Sequence, residues 1–280
     1  MQFIKSGLLV LSLGTAMTAM AQPVKIGVQS GQKYKVENTV KVNSSAEVMG
    51  QTMENNVDTK NTTLYEIKGN GQEGISLQST ITTMTVTASA MGQEMSFDSE
   101  KKDNSGPMAD MLAPRINKPR SITLDTKGTI VKQDEIEESG QGAMMGLGDA
   151  NTTTTDLFIP ALVDRELKVG DSFTDVGTVK KEKYNSRDSG TYKITAIENG
   201  VASISYTGTQ VIVATIEQMG MEMTTNSNNT VKAEMQVDVT TGLVLAKATV
   251  IESTVSIDAA GMTIPATGKT VLTTKLIPAN

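Results

Sequence analysis

The pentapeptide Met49-Gly50-Gln51-Thr52-Met53 recurs as Met91-Gly92-Gln93-Glu94-Met95 and as Met219-Gly220-Met221-Glu222-Met223, with a degenerate fourth copy at Ala260-Gly261-Met262-Thr263-Ile264. Each copy stands between two long stretches in which apolar and polar residues alternate, the period of a strand with one buried face. Glycine at that place supplies the positive φ that a two-residue primed turn or a bulged three-residue turn requires. The pattern predicts four long β-hairpins, two in each half of the chain.

Working outward, Tyr34, Val36, Val40 and Val42 form one apolar row, and Met53, Val57, Tyr65 and Ile67 form the next across the first Met-Gly turn. A further turn is expected at Asn70-Gly71. The strand from Ile75 to Met91 changes phase: Ile75, Leu77 and Ile81 are odd, whereas Met84, Val86 and Ala88 are even. A β-bulge near Thr82 and Thr83 would absorb one residue without turning the core face to water. Pro107 to Leu112 reads as a short helix, with Ser105 as the candidate cap and Pro114 as the stop. A hairpin follows, from Ser121 to Ile136, around Asp125-Thr126-Lys127-Gly128, where the Asp125 side chain accepts turn N–H groups.

The second half repeats the first. Val169-Gly170-Asp171-Ser172-Phe173 corresponds to Ser30-Gly31-Gln32-Lys33-Tyr34, and Thr191-Tyr192-Lys193-Ile194 to Leu64-Tyr65-Glu66-Ile67. Tyr65 to Tyr192 is an offset of 127 (192 − 65), and Met91 to Met219 one of 128 (219 − 91). The missing residue of the first copy accounts for its phase change. In the second copy Ala202, Ile204, Tyr206, Ile212, Ala214 and Ile216 keep one phase, followed by rows that contain Met235, then Leu243, Leu245, Ile251, Val255 and Ile257, then Met262, Ile264, Ala266, Leu272 and Leu276. The expected organisation is a signal peptide at 1–21, a first β repeat at 22–137, a flexible Gly- and Thr-rich linker at 138–156 and a second β repeat at 157–280, the repeats forming one structural unit.

The N-terminus, Met1-Gln2-Phe3-Ile4-Lys5 with an apolar run from Leu8 to Leu13 and Ala19-Met20-Ala21, reads as a secretory signal cleaved after Ala21. A periplasmic or extracellular protein is expected. Removal of Lys5 takes the formal charge from −6 to −7, a balance that argues against nucleic acid or anionic lipid as an electrostatic partner. An integral membrane protein is not expected, because no later apolar run is long enough to span a bilayer. The chain has no Cys, so about 260 mature residues must cohere by core burial alone.

His is absent too, which removes the commonest general base together with the commonest metal ligands. No Gly-x-Ser-x-Gly elbow exists, and the carboxylates fall on solvated rows, as do Glu135, Glu137 and Glu138 at the linker. A non-catalytic protein without cofactor or metal is the expectation. The Met-x-x-x-Met spacing has the sulfur content of a Cu(I) site, but pairs that flank a hairpin turn are read as gap-filling side chains.

These elements predict an all-β fold: internally duplicated long antiparallel hairpins forming a curved sheet, half-barrel or sandwich, with one or two short helices. The apolar faces meet one another, with the two halves pressed face to face, or else part of a concave apolar face is left for a ligand. The stretches Gly31 to Tyr34, Leu64 to Ile67, Met91 to Met95, Val169 to Phe173 and Thr241 to Val244 resemble an uncharacterised family of exported bacterial two-repeat β-proteins, a resemblance that brings no catalytic residue with it. The shape is more loosely similar to periplasmic carriers of lipids and lipoproteins, in which helices plug a curved sheet; here residues 107–113 and 155–163 are the segments able to do so. The resulting expectation is a hydrophobic ligand, a lipid or acyl group, on an apolar face that includes Met84, Val86, Tyr206, Ile212, Ile216 and Met235. The alternative is an envelope structural or protein-interaction module that uses sheet edges and turns.

Overall fold

The structure, a computed structural model, describes residues 23–48, 50–90, 93–134, 155–218, 221–259 and 261–277. The signal-peptide region, Glu135 to Glu138 and all of the 138–156 segment except Thr155 and Asp156 lie outside them. Twelve described strands form one open, curved antiparallel sheet. In chain order they are β1 (Lys33–Val48), β2 (Gln51–Gly71), β3 (Gly74–Ala90), β4 (Gln93–Asp98), β5 (Arg120–Leu124), β6 (Ile130–Gln133), β7 (Ser172–Lys181), β8 (Tyr184–Glu198), β9 (Val201–Gln218), β10 (Met221–Asp238), β11 (Val244–Ala259) and β12 (Met262–Ile277). Their order across the sheet is β6-β5-β3-β2-β1-β12-β11-β10-β9-β8-β7, and β4 also pairs with β3.

The four Met-Gly sites join strands as expected. Val48 pairs with Gln51, Ala90 with Gln93, Gln218 with Met221 and Ala259 with Met262, so each loop has two residues. Gly50 and Gly261 take φ of 76° and 80°. Asn199 (φ 51°) and Gly200 (φ 80°) join β8 to β9 with the positive angles of a type I′ turn. The first copy differs there: Asn70-Gly71 stays in strand, and the turn is made by Gln72-Glu73, between Gly71 and Gly74.

The phase change is a bulge. Thr62 pairs with Thr83 and Thr63 with Ile81, which leaves Thr82 as the extra residue. The two copies share other irregularities, with register shifts between Ile67 and Gly69 and between Ile194 and Ala196. In each, a glycine after the entry turn (Gly31, Gly170) donates its N–H to the next strand (Ile67 O, Ile194 O) at 2.8 and 2.9 Å. Asp125 and Asp238 each accept two turn N–H groups on one carboxylate oxygen.

The copies diverge where the bulge lies. β10 runs unbroken along β9, but its counterpart is split into β4, against Thr85 to Ala90, and β5, against Ile75 to Ser79. Between them the chain leaves the sheet, forms helix α1 (Pro107–Leu112) and a 3-10 turn (Ala113–Arg115), and returns through a parallel bridge from Ile116 to Ile81. The Asn117 N–H donates to Ile81 O at 2.8 Å, taking up a carbonyl that neither β4 nor β5 reaches. The α1 N-cap is Gly106 (φ 99°) with no side-chain cap, so Ser105 does not have that role.

The halves do not press face to face. β1 pairs with β12 from Lys35 against Ile277 to Ala46 against Ala266, which makes one continuous sheet. Its apolar face is covered locally instead. Residues 155–163 are not α-helical: they pass from a turn at Asp156 and Leu157 into a 3-10 turn (Pro160–Leu162), burying Leu157, Phe158 and Leu162 against two core clusters. Val24 and Val28 lie in the same clusters, tied by the Val24 N–H to Arg165 O at 3.0 Å. α1 covers a third cluster with Met108 and Leu112 over Met84, Val86, Ala88 and Phe97.

Gly74 (φ 120°) starts β3 where a Cβ would overlap the Leu124 carbonyl oxygen, whereas a Cβ on Gly50 would meet nothing within 4 Å. Gly74→Ala should therefore cost about 2–4 kcal/mol and Gly50→Ala only ~1 kcal/mol, measured as unfolding midpoints in urea. Equal losses would contradict the pairing of β3 with β5.

Candidate ligand-binding face

Strand register sorts the apolar face into rows that cross the whole sheet. One row runs Ile194, Ile204, Met235, Lys247, Thr274, Asn38, Asn61 and Met84, apolar at both ends and polar in the middle. The next two carry Tyr192, Tyr206, Ala233, Thr249, Leu272, Val40, Thr59 and Val86, then Gly190, Gly208, Val231, Ile251, Thr270, Val42, Val57 and Ala88. A polar belt follows through Asp188, Gln210, Asn229, Ser253, Gly268 and Ser44, with Asn229 donating to Gln210 at 3.0 Å. Beyond the belt Val255, Ile257, Ala266 and Ile264 make the strand tips apolar again.

The covers leave a strip between them. α1 lies over β2, β3 and β4. On the other flank an aromatic ladder spans β7 to β9: the Arg165 guanidinium sits 3.8 Å over the Phe173 ring, Phe173 stacks on Tyr192 at 5.1 Å, and Tyr192 meets Tyr206 at 4.7 Å. Gly190 and Gly208 make room for this, since a Cβ on either would overlap the Tyr206 ring or hydroxyl. On the central strands β11, β12 and β1, Ile251, Leu272, Val40, Val255 and Ile257 stay half-buried. None belongs to the three core clusters or to the residues packed against them.

The strip ends in a polar cluster. Asp156 accepts from Asn38 Nδ2 at 2.7 Å, and Thr274 Oγ1 donates to Asn38 Oδ1 at 2.8 Å, which anchors the 155–163 segment across the junction of the halves. Lys247 projects from β11 into the same region, and burial pushes its ammonium pKa below the usual lysine range, partly offset by Asp156. The neighbouring Thr249 Oγ1 is buried with no hydrogen-bond partner among the described residues. A cavity of about 390 Å3 opens beside the cluster, lined by Asp156, Phe158, Lys247 and Thr274 at one end and by Asp175, Asp188, Tyr192 and Val179 at the other. Burial, then Tyr206 and the two carboxylates, raise the Tyr192 pKa. A wider groove of about 530 Å3 crosses the opposite face, lined by Glu37, Glu234 and Lys275 together with Ala246 and Ala248.

Of the residues singled out from the sequence, Met84 and Val86 are buried beneath α1, and Met235 is buried against Ile204 and Ala233. Tyr206 belongs to the aromatic ladder, and Ile212 is half-buried just past the polar belt. Ile216 pairs with Met223 by register, and its side chain lies outside the described set. Sequence reasoning missed Lys247, Asp156, Asn38 and Thr274. The available signal was a lysine in phase with Ile251, Val255 and Ile257, passed over because an apolar row was traced by its apolar members alone; a separate bulge at Leu245, where Val237 pairs with Val244 and Gln236 with Ala246, shifts the phase before it. Leu245 is thus the extra residue, and does not belong to the row of Ile251.

Lys247 is charged in the unfolded chain up to its ordinary pKa but loses its proton earlier when folded, so stability rises as pH climbs from the lowered pKa to about 10.4. Lys247→Met should remove that increment and melt higher than the parent protein at pH 7. Melting curves from pH 7 to 10.5 check both, and a lower melting temperature for the variant at pH 7 would contradict the unpaired charge.

No described helix is long and apolar enough to cross a membrane, a statement that does not bear on β-barrels. Among the described residues no group of three or more acidic side chains is arranged to hold a metal. No curated protein matches the chain. A solved structure described as lipid-protein interactions in lipovitellin superposes with a TM-score of 0.51 at 11% identity, over 90% of this chain and 26% of that one. The chain thus spans about a quarter of the lipovitellin chain, and the likeness is one of fold. An outer-membrane channel of Pseudomonas putida F1 aligns over 90% of this chain and 98% of its own at 6% identity, with a TM-score of 0.26 that carries no structural weight. Residues 72–164, from the β2–β3 turn to the end of the 3-10 segment, match a family of unknown function, DUF6263.

Proposed function

We propose that this chain is a non-catalytic binding protein of the cell envelope, exported by the signal at residues 1–21, that holds the acyl chain of a lipid along the central strands of its apolar face. The observation that carries the reading is that Ile251, Leu272, Val40, Val255 and Ile257 on the central strands stay half-buried outside the clusters covered by α1 and the 155–167 segment, with the row of Ser253 and Gly268 crossing between them. From the row of Thr249 to that of Ile257 the strip spans eight residues of strand, about 26 Å at ~3.3 Å each, enough for an extended long acyl chain. The lipovitellin-like sheet, seen in a structure concerned with lipid-protein interactions, supports the same reading at the level of fold.

Native mass spectrometry of the mature protein with added palmitoyl-oleoyl phospholipid should show a one-to-one complex. Ile257→Asp, which sets a charge on the strip at a half-exposed site, should weaken binding at least ~10-fold. Absence of any lipid adduct, with a protein partner recovered by envelope crosslinking, would favour an interaction module instead.

A further inference from the structure

The cavity beside the strip is built with charge of both signs, at opposite ends. Lys247 lies on the apolar face because strand alternation places it with Met235 and Thr274, and, half-buried, it lines the cavity. Its ammonium has no hydrogen bond or ion pair among the described residues, and the nearby Asp156 carboxylate is already engaged by Asn38. An ammonium drawn partly out of water without a hydrogen-bonded partner is costly, and this one borders open space. At the other end, Asp175 and Asp188 sit diagonally across β7 and β8, with Gly177 and Gly190 opposite them, beside Tyr192. Neither carboxylate has an ion-pair partner among the described residues. Two carboxylates beside an aromatic ring attract an organic cation.

From this juxtaposition we infer that the cavity receives a zwitterionic headgroup, its phosphate on Lys247 and its ammonium between Asp175, Asp188 and the Tyr192 ring. The inference rests on the lipid reading above and names the lipid class: a phospholipid with an amino-alcohol headgroup. A purely anionic lipid would satisfy Lys247 but set its charge against three carboxylates. A simple cation would leave the lysine unpaired. The cavity, about 390 Å3, has the size of a small polar group, and at the β7–β8 end Asp188 stands one row from Ile212, where the face becomes apolar again.

Competition native mass spectrometry of the mature protein, with phosphatidylethanolamine and phosphatidylglycerol of identical acyl chains, tests this. Phosphatidylethanolamine should be preferred at least ~10-fold, and Lys247→Met and Asp175→Asn/Asp188→Asn should each lower its affinity by ~10-fold or more while far-ultraviolet circular dichroism stays unchanged. The carboxylate variant should erase the preference by losing the amine contact. Equal binding of both lipids, with both variants unaffected and Ile257→Asp still damaging, would overturn the headgroup assignment and leave the acyl site standing. No binding of either lipid would overturn both.

Discussion

The backbone ladder between β1 and β12 is the interaction on which this architecture depends. It joins the first strand of one half to the last of the other, from Lys35 against Ile277 to Ala46 against Ala266. Two duplicated meanders with apolar faces could also have stacked as a sandwich, the usual way for such faces to be buried. Pairing edge to edge removes two exposed strand edges but leaves the apolar face without a second sheet. The chain meets that deficit with non-sheet segments: α1 over the first half, and the 155–167 segment with residues 24–28 over the base of both. Leu157 and Phe158 are fully buried in this way, at about 1.5–3 kcal/mol each.

Those covers are unequal because the copies are unequal. In the first, the split of the β10 counterpart releases the chain that becomes α1, and the bulge at Thr82 allows β3 to keep its core face inward on both sides of the split. In the second, β10 is continuous and contributes no helix, so cover comes from aromatic rings laid over Gly190 and Gly208. Neither reaches the central strands. The open strip and its polar end therefore follow from how the halves are joined, and they lie at the junction, where Asp156, Asn38 and Thr274 bring together the connecting segment, β1 and β12.

Much of this was legible in the chain. Alternation of period two located the long strands, the Met-Gly spacing located four hairpins, and the switch of apolar parity between Ile81 and Met84 located the bulge to a residue or two. Partner choice was not legible, because a strand with one dry face reads the same whether that face meets another sheet, a helix or a connecting segment. The site was the least legible. Met84, Val86 and Met235 look like any inward residue on a binding face, and only the positions of α1 and its neighbours make them core. Lys247 went unnoticed because a charged residue in an apolar row reads as an interruption of that row, and Asp156 because a residue in a Thr-rich stretch has no periodicity by which to place it.

A paired disulfide measures the central claim directly, since the natural chain has no cysteine to confuse the result. Asn43 and Lys269 are both exposed and are partners across β1 and β12, and directly opposed Cα atoms in an antiparallel ladder stand ~4.5–5.5 Å apart, within the range a disulfide bridges. Asn43→Cys/Lys269→Cys should oxidise to an intramolecular crosslink, found by non-reducing peptide mapping, with the circular dichroism of the parent protein unchanged. A folded, monomeric double variant whose thiols stay free under oxidation would mean that the two halves do not share one sheet.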